Sequence, residues 1–283
     1  MTTTEDLTRR AFVKTSLATG FAVAVQPIAH ATTIHTDEAG LIAGEVKVTG
    51  QDKFVFPAYQ ACPDNPGETF PVVVVIQEIF GVHEHIKDVC RRFAKHGYFA
   101  IAPELYARQG DVSTLTNIGD IIGKVVSKVP DAQVAADIDA TLAYVKGLGK
   151  ADMSRLGVTG FCWGGRQTWL YCAHNPRVRA GAAWYGPLGG TPTPLQPRTA
   201  TEAVATLTVP VLGQYGGQDQ GIPIASLDKL RKVLAQGKSG SEIVVYPDAG
   251  HGFNADYRPS YNEDDAKRAF ARLLDWFGSH GAA

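Results

Sequence analysis

Cysteine, surplus basic charge and long apolar runs are all scarce in this sequence. Four cysteines in 283 residues are too few for a fold held together by disulfides. The 27 basic and 28 acidic residues leave a net charge of −1, so no basic excess is available to neutralise the phosphates of a nucleic acid. We therefore expect no nucleic-acid partner. A hydrophobic content of 45% excludes a disordered, collagen-like or coiled-coil chain and indicates a globular one.

Residues 1–31 have the layout of an export signal. A polar start contains Arg9-Arg10-Ala11-Phe12-Val13-Lys14, an uncharged stretch covers residues 15–25, and the segment ends in Ala29-His30-Ala31. The paired arginines resemble a twin-arginine (Tat) signal, which implies cleavage after Ala31 and passage through the twin-arginine machinery to the periplasm or beyond. Eleven uncharged residues reach about 16 Å as a helix, half a bilayer, so we expect no stable membrane anchor. The alternative is a frayed N-terminal helix.

Strands and helices alternate along residues 32–283. Pro71–Ile76 is a continuous β-branched run, which is typical of a strand buried on both faces. Alternation of strands and helices indicates a mostly parallel sheet, so we predict an α/β fold in one domain. The predicted strands span 45–49, 53–60, 71–76, 98–102, 155–160, 178–185, 207–215 and 242–246, and the predicted helices span 86–96, 131–147, 163–174, 225–234 and a final stretch around 266–277.

The segment Gly160-Phe161-Cys162-Trp163-Gly164-Gly165 lies where a predicted strand must turn sharply into a helix. Such a turn strains its central residue and needs small residues two positions away, which Gly160 and Gly164 supply. Cys162 occupies the place of a nucleophile. A thiol is a strong nucleophile there, because a helix N-terminus favours its thiolate. The alternative is that Cys162 is a small buried hydrophobic residue.

A nucleophile needs a base, and the base needs a group that orients it. His251 lies between two glycines, just after the predicted strand that ends at Tyr246. Asp219 follows another predicted strand end through Gly216-Gly217-Gln218. The chain order of Cys162, Asp219 and His251, each after a different strand, is that of α/β-hydrolases. The alternative is a solvated loop aspartate and a turn histidine.

Five motifs in this order resemble the dienelactone hydrolase family. They are Gln77-Glu78-Ile79-Phe80-Gly81, Pro103-Glu104-Leu105-Tyr106-Ala107-Arg108, Gly160-Phe161-Cys162-Trp163-Gly164-Gly165, Gly216-Gly217-Gln218-Asp219 and Gly250-His251-Gly252-Phe253. The resemblance extends from about Gly44 to Phe277. It implies an α/β-hydrolase fold with helices on both faces of the sheet, no cofactor, and hydrolysis of carboxylic esters, above all lactones. It also implies a Cys162–His251–Asp219 triad that forms a thioester.

Glu78 follows an apolar strand, where a carboxylate is costly unless it has a partner. The resemblance implies that Glu78 lies against the Cys162 thiol, holds it until substrate displaces it, and then accepts its proton. It also implies an oxyanion hole made of the backbone N–H groups of Ile79 and Trp163. The alternative for Glu78 is a solvated carboxylate just beyond the sheet.

Arginines bind the carboxylate of the substrate in members of this family that act on dienelactone. The resemblance assigns substrate contact to the segment containing Tyr106 and Arg108; the alternative for Arg108 is a surface arginine. The second expected arginine position, four residues after His251, holds Ala255, and Arg258 follows three residues later.

Several further expectations complete the sequence-based interpretation. His83 and His85 have no cluster of cysteines or carboxylates beside them, so we expect no metal. Residues 111–129 form either a lid or a surface insertion. We expect a monomer that acts on a small-molecule ester or lactone.

Two other functions stay open: a non-catalytic binding or redox-responsive protein with an oxidisable Cys162, and a general carboxylesterase indifferent to anionic groups.

Overall fold

An eight-stranded sheet runs through residues 33–283, the part of the chain that the computed structural model describes. The strands are β1 (Leu41–Thr49), β2 (Val55–Pro63), β3 (Phe70–Ile76), β4 (Phe99–Pro103), β5 (Ala151–Phe161), β6 (Ala180–Trp184), β7 (Val211–Gly216) and β8 (Glu242–Tyr246). Their order across the sheet is β1-β2-β4-β3-β5-β6-β7-β8. β2 pairs antiparallel with β1 and β4, and every other pairing is parallel. The predicted export signal, residues 1–31, lies outside the described residues.

Five helices of more than ten residues flank this sheet in the described chain. They are α1 (Glu84–Lys95), α2 (Asp131–Gly147), α3 (Trp163–His174), α4 (Ile224–Leu234) and α5 (Glu263–Ser279). The predicted α/β-hydrolase fold, with a mostly parallel sheet and flanking helices, is therefore confirmed. No helix between residues 33 and 283 combines the length and the apolar character needed to cross a bilayer.

The core lies along the central strands. Every residue of β3, β4 and β6 is buried, whereas the edge strand β1 is mostly exposed or half-buried. The valine run of β3 has no exposed surface because helices cover the sheet, which is the environment that its continuous β-branched sequence predicts.

The structure differs from the sequence-based boundaries in several places; for example, β5 begins four residues earlier than predicted, at Ala151, and β7 begins four residues later, at Val211. β1 and β2 are longer than predicted because they pair with each other along their whole length, from Leu41 with Pro63 to Thr49 with Val55. Residues 111–129 contain short helical turns, and Val112, Ile121, Val125 and Val126 are buried. These apolar anchors favour a packed insertion over a lid.

Glycines allow β5 and α3 to approach their neighbours closely. A Cβ on Gly160 would lie 2.4 Å from the carbonyl oxygen of Gly164, and one on Gly164 would lie 2.4 Å from that of Ile76. Both contacts are with backbone, which cannot move aside as a flexible side chain can. The tight turn between β5 and α3 therefore depends on glycine at both positions.

We predict that Gly164→Ala lowers the free energy of unfolding by about 2–3 kcal/mol, because the added methyl group forces α3 away from β3. The matched control is Gly147→Ala in α2, where nothing lies within 4 Å of the added carbon and φ is not positive. That control should leave stability unchanged or raise it by up to about 1 kcal/mol. Urea unfolding of both variants measures the difference, and equal stability would contradict the packing argument.

Candidate active site

Parallel strands bring their carboxyl ends to one edge of the sheet, and the candidate site lies there. Glu78 follows β3, Cys162 follows β5, Asp219 follows β7 and His251 follows β8. The parallel strands thus bring these four residues, which are far apart in the chain, to the same edge of the sheet.

Cys162 sits at the turn between β5 and α3 with φ 54° and ψ −117°. A non-glycine residue in the left-handed region is strained, and such strain concentrates at functional sites. The backbone around it is fixed, since the Cys162 N–H donates to the Trp184 carbonyl at 3.0 Å and the Cys162 carbonyl accepts from Gly165 at 2.9 Å. The thiol is buried at the N-terminus of α3, where the helix dipole favours a negative charge.

Cys162, His251 and Asp219 form one hydrogen-bonded row. His251 Nε2 lies 3.3 Å from Cys162 Sγ, and His251 Nδ1 lies 2.8 Å from Asp219 Oδ2. The second Asp219 oxygen accepts from the Gly221 N–H at 2.8 Å, which orients the carboxylate. The structure thus brings together the three side chains that the sequence predicted as a triad, all of them buried.

Backbone bonds hold the acid loop against the histidine loop. The N–H of Gly217 donates to the Tyr246 carbonyl at 2.7 Å, and that of Gln218 donates to the Ala249 carbonyl at 2.9 Å. A Cβ on Gly217 would lie 2.5 Å from the Pro247 carbonyl oxygen. Glycine at this position therefore lets the Asp219 and His251 loops pack directly on each other.

The pKa of His251 is raised to about 10. Burial alone would lower this pKa, but the negative charge of Cys162 and the hydrogen bond with Asp219 outweigh burial. With both ring nitrogens protonated, His251 donates to Asp219 on one side and to the sulfur on the other. The raised pKa favours the imidazolium form of His251 next to the Cys162 sulfur.

Glu78 is placed differently from the sequence-based expectation. Its carboxylate has no exposed surface, lies 3.3 Å from Arg258 Nη2, and accepts a hydrogen bond from the Tyr257 hydroxyl. The Cys162 sulfur is instead hydrogen-bonded to His251. A buried carboxylate gains most from a buried cation, and this explains the difference. Burial by itself would raise the pKa of Glu78, yet Arg258 holds it well below its usual range.

Successive turns bring Arg258 to Glu78. The N–H of Ala255 donates to the Gly252 carbonyl at 2.8 Å, and that of Arg258 donates to the Ala255 carbonyl at 3.0 Å. Gly252 has φ 75°, and its missing Cβ leaves room for the Arg258 side chain, whose Cδ would lie 2.9 Å away from that carbon. An arginine seven residues after His251 thus reaches the site, and spacing alone could not show this.

Arg108 has different partners from those expected. Its Nη2 lies 2.8 Å from Asp137 Oδ1, its Nη1 and Nη2 donate to Asp52, and its guanidinium lies 4.3 Å from the centre of the Phe54 ring. These contacts link the turn before β2 to α2 and occupy the guanidinium. We therefore replace the expectation that Arg108 binds substrate with a structural role.

Tyr106 also departs from its expected substrate contact. The side chain is fully buried, and its hydroxyl donates to the backbone carbonyl of Glu78 at 3.2 Å. Its ring lies 4.9 Å from that of Trp163, centre to centre. Tyr106 therefore packs beneath the Glu78 backbone and the Trp163 ring, with no surface exposed to a substrate.

The two predicted oxyanion donors follow the neighbouring strands β3 and β5. Ile79 follows Glu78 after β3, and Trp163 is the first residue of α3. The N–H of a first helical residue has no acceptor inside its own helix, so that of Trp163, next to Cys162 in the chain, has no partner within α3.

Tyr185 and Tyr257 are site residues that the motifs did not identify. Tyr185 follows β6 with φ 36°, and its ring lies edge-on to His251 at 5.2 Å. Burial raises the pKa of both tyrosines well above 10. Tyr185 could have been found from its place at the end of a buried strand; Tyr257 carries no such signal.

The other cysteines lie outside this row. All four cysteines are free and buried, and burial raises the pKa of Cys62, Cys90 and Cys172. Within residues 33–283 no group of three histidine, cysteine or acidic side chains is arranged to hold a metal ion.

Comparisons with known proteins identify the family. The sequence model described as "Dienelactone hydrolase family" matches residues 56–281. A Methylorubrum extorquens protein named "Putative carboxymethylenebutenolidase" is 61% identical over 277 residues, covering 98% of this chain and 94% of its own length. An Escherichia coli K12 protein with the same name is 47% identical over 267 residues, covering 94% and 97% respectively.

A solved structure is similar over most of the described chain. It is the crystal structure named "Putative Dienelactone Hydrolase from Klebsiella pneumoniae", with a TM-score of 0.82 and 49% identity, covering 84% of this chain and 98% of that one. Sequence, fold and strand-end geometry lead to the same assignment. The chain belongs to the dienelactone hydrolase family and is a carboxylic ester hydrolase.

Proposed function

We propose that this hydrolase opens lactones and cleaves related carboxylic esters with Cys162 as nucleophile, through a thioester intermediate. The observation that carries the proposal is the buried row from Asp219 through His251 to Cys162, with contacts of 2.8 and 3.3 Å. The relatives named carboxymethylenebutenolidase support a lactone as the substrate. Export directed by residues 1–31 and a monomeric state stay predictions from the sequence.

Acylation begins from the ion pair. The Cys162 thiolate attacks the carbonyl carbon, the carbonyl π electrons move to oxygen, and the N–H groups of Ile79 and Trp163 stabilise that oxyanion. The oxyanion then collapses and expels the ring or ester oxygen, which takes a proton from the His251 imidazolium. The products of this step are a thioester on Cys162, an alcohol or enol, and a neutral imidazole.

Deacylation needs the same histidine as a base. The Cys162 charge raises the pKa of His251 in the free enzyme, and acylation removes that charge. Burial, which lowers this pKa, then meets less opposition, so the neutral imidazole persists. It takes a proton from water and becomes imidazolium again, and the hydroxide attacks the thioester carbonyl. The resulting oxyanion collapses, which releases the carboxylic acid and restores the Cys162 thiolate.

Arg258 is our candidate for recognition of an anionic substrate. It is buried beside Glu78 at the same end of the sheet as Cys162. A substrate carboxylate that pairs with Arg258 competes with Glu78 for the guanidinium. Because acylation starts from the thiolate, with its proton on His251, this mechanism does not need the predicted role of Glu78 as a base for the thiol.

We predict that Cys162→Ala lowers the rate of p-nitrophenyl acetate hydrolysis by about 10³-fold or more, because no thioester can form. Cys172→Ala, in the same helix and equally buried, is the matched control and should keep its activity. Equal activity in wild type and Cys162→Ala would reject the nucleophile and favour the non-catalytic or redox-responsive alternative.

We predict that Asp219→Asn slows deacylation more than acylation. The asparagine amide no longer holds Nδ1–H of His251, so the base is misoriented and steady-state turnover falls about 10²–10⁴-fold. Nitrophenolate leaves without a proton from His251, so stopped-flow absorbance should show an initial burst of about one equivalent. Asp248→Asn, an exposed residue of the neighbouring loop that carries His251, is the control. A variant with no burst and equal slowing of both steps would contradict the thioester.

We predict that Arg258→Met raises KM for a lactone with a free carboxylate about 10- to 100-fold, and raises KM for its methyl ester far less. Arg108→Met should change both values equally. The ratio of the two substrates within each variant cancels general effects on the site. A selective effect at Arg108 would restore the sequence-based expectation, and no selectivity in either variant would identify a general carboxylesterase.

A further inference from the structure

The hydrogen bond from the Tyr106 hydroxyl to the Glu78 carbonyl has a consequence at the next residue. That carbonyl and the N–H of Ile79 belong to one peptide group, which is planar and almost always trans. The bond is 3.2 Å long and fully buried. Any contact that fixes the carbonyl oxygen therefore fixes the direction of the Ile79 N–H, which lies in the same plane and points the opposite way.

Tyr106 is itself held by the segment that follows β4. Its N–H donates to Glu104 Oε1 at 3.3 Å, and Gln77 Nε2 donates to the same oxygen at 2.8 Å. The second Glu104 oxygen accepts from the Val82 N–H at 2.7 Å. Burial raises the pKa of Glu104, and these donors lower it in part. The β3–α1 loop is thus tied at both ends to the residues around Tyr106.

The ring of Tyr106 reaches the second donor residue. Its centre lies 4.9 Å from that of the Trp163 indole at an interplanar angle of 57°. One buried side chain thus contacts both residues whose N–H groups we assign to the oxyanion hole, one by a hydrogen bond to its peptide and one by ring packing.

We propose that Tyr106 is a positioning residue for the oxyanion hole, and this rests on the proposed function above. The hydroxyl orients the Glu78–Ile79 peptide and polarises it, because a hydrogen bond to a carbonyl strengthens the donor at the other end of the same amide. The ring supports Trp163. Donors fixed in this way need no rearrangement when negative charge develops on the substrate oxygen.

The alternative is a buried tyrosine that only stabilises the fold. A positioning role affects steps that form an oxyanion, whereas a structural role affects every reaction of the site alike. Attack on iodoacetamide transfers a carbon to the thiolate and expels iodide without any oxyanion. Addition of the thiolate to a trifluoromethyl ketone forms a carbon–sulfur bond and leaves a negative oxygen. The two reagents therefore separate nucleophile from oxyanion hole.

The test is Tyr106→Phe, which removes the hydroxyl and keeps the ring. Loss of a whole oxyanion donor costs about 10²–10³-fold in kcat, so we expect loss of its alignment to lower kcat about tenfold with KM nearly unchanged. Ki for the trifluoromethyl ketone should rise by about the same factor. The rate of iodoacetamide alkylation at Cys162, followed by peptide mass spectrometry, should equal that of wild type.

Tyr171→Phe is the matched control, because that buried hydroxyl donates to Asp139 at 2.7 Å at the far end of α3. Rates are normalised to sites counted by the nitrophenol burst, so partial unfolding does not mimic a catalytic effect. Parallel loss of kcat, inhibitor binding and alkylation, or behaviour equal to Tyr171→Phe, would overturn the proposal. If Cys162→Ala keeps activity, the proposed function fails first; if it loses activity and Tyr106→Phe does not, only the role of Tyr106 is rejected.

Discussion

The left-handed backbone at Cys162 is the constraint on which the rest of the site depends. At φ 54° the chain leaves β5 and enters α3 within one residue, so the thiol lies at the helix N-terminus instead of inside the sheet. The turn closes only because Gly160 and Gly164 have no Cβ to meet backbone at 2.4 Å. The cost of a strained residue, about 1–3 kcal/mol, is sustained by the buried strands on either side. Stability of the core and reactivity of the sulfur are thus coupled through one turn.

Charge in the site is arranged in buried pairs. Glu78 and Arg258 have no exposed side-chain surface, and removing one member of such a pair typically costs about 3–5 kcal/mol, since the other charge is left uncompensated. An incoming carboxylate that pairs with Arg258 adds one negative charge to the interior, so Glu78 must move towards solvent or take up a proton when it is displaced. A neutral ester offers no such exchange. The same pair therefore stabilises the resting fold and, in the proposed function, distinguishes substrates by charge.

The sequence predicted the fold, and it placed Cys162, Asp219 and His251 after strand ends that the structure brings together, for a local reason. Valine runs, glycine turns and strand-end positions are encoded within a few residues, and parallel strands then bring Asp219 and His251 to one edge. The arginines were harder. Arg108 stands in a familiar motif, but its direction is set by Asp52 and Asp137, which are 56 and 29 residues away in the chain. Arg258 reaches Glu78 only through the turns after Gly252. The direction of a side chain in a loop depends on tertiary contacts, which the spacing of residues along the sequence does not reveal.

In the proposed mechanism one histidine serves as acid and then as base, and the charges around it explain how. The pKa of His251 is about 10 beside the thiolate, so the imidazolium is ready to protonate the leaving oxygen. Forming the thioester removes the charge that helps to hold the pKa there, whereas Asp219 stays in place and keeps the ring oriented at 2.8 Å. Burial then favours the neutral imidazole that deacylation needs. Formation of the thioester therefore lowers the pKa of His251. The resulting neutral imidazole is the base that activates water for hydrolysis of that thioester.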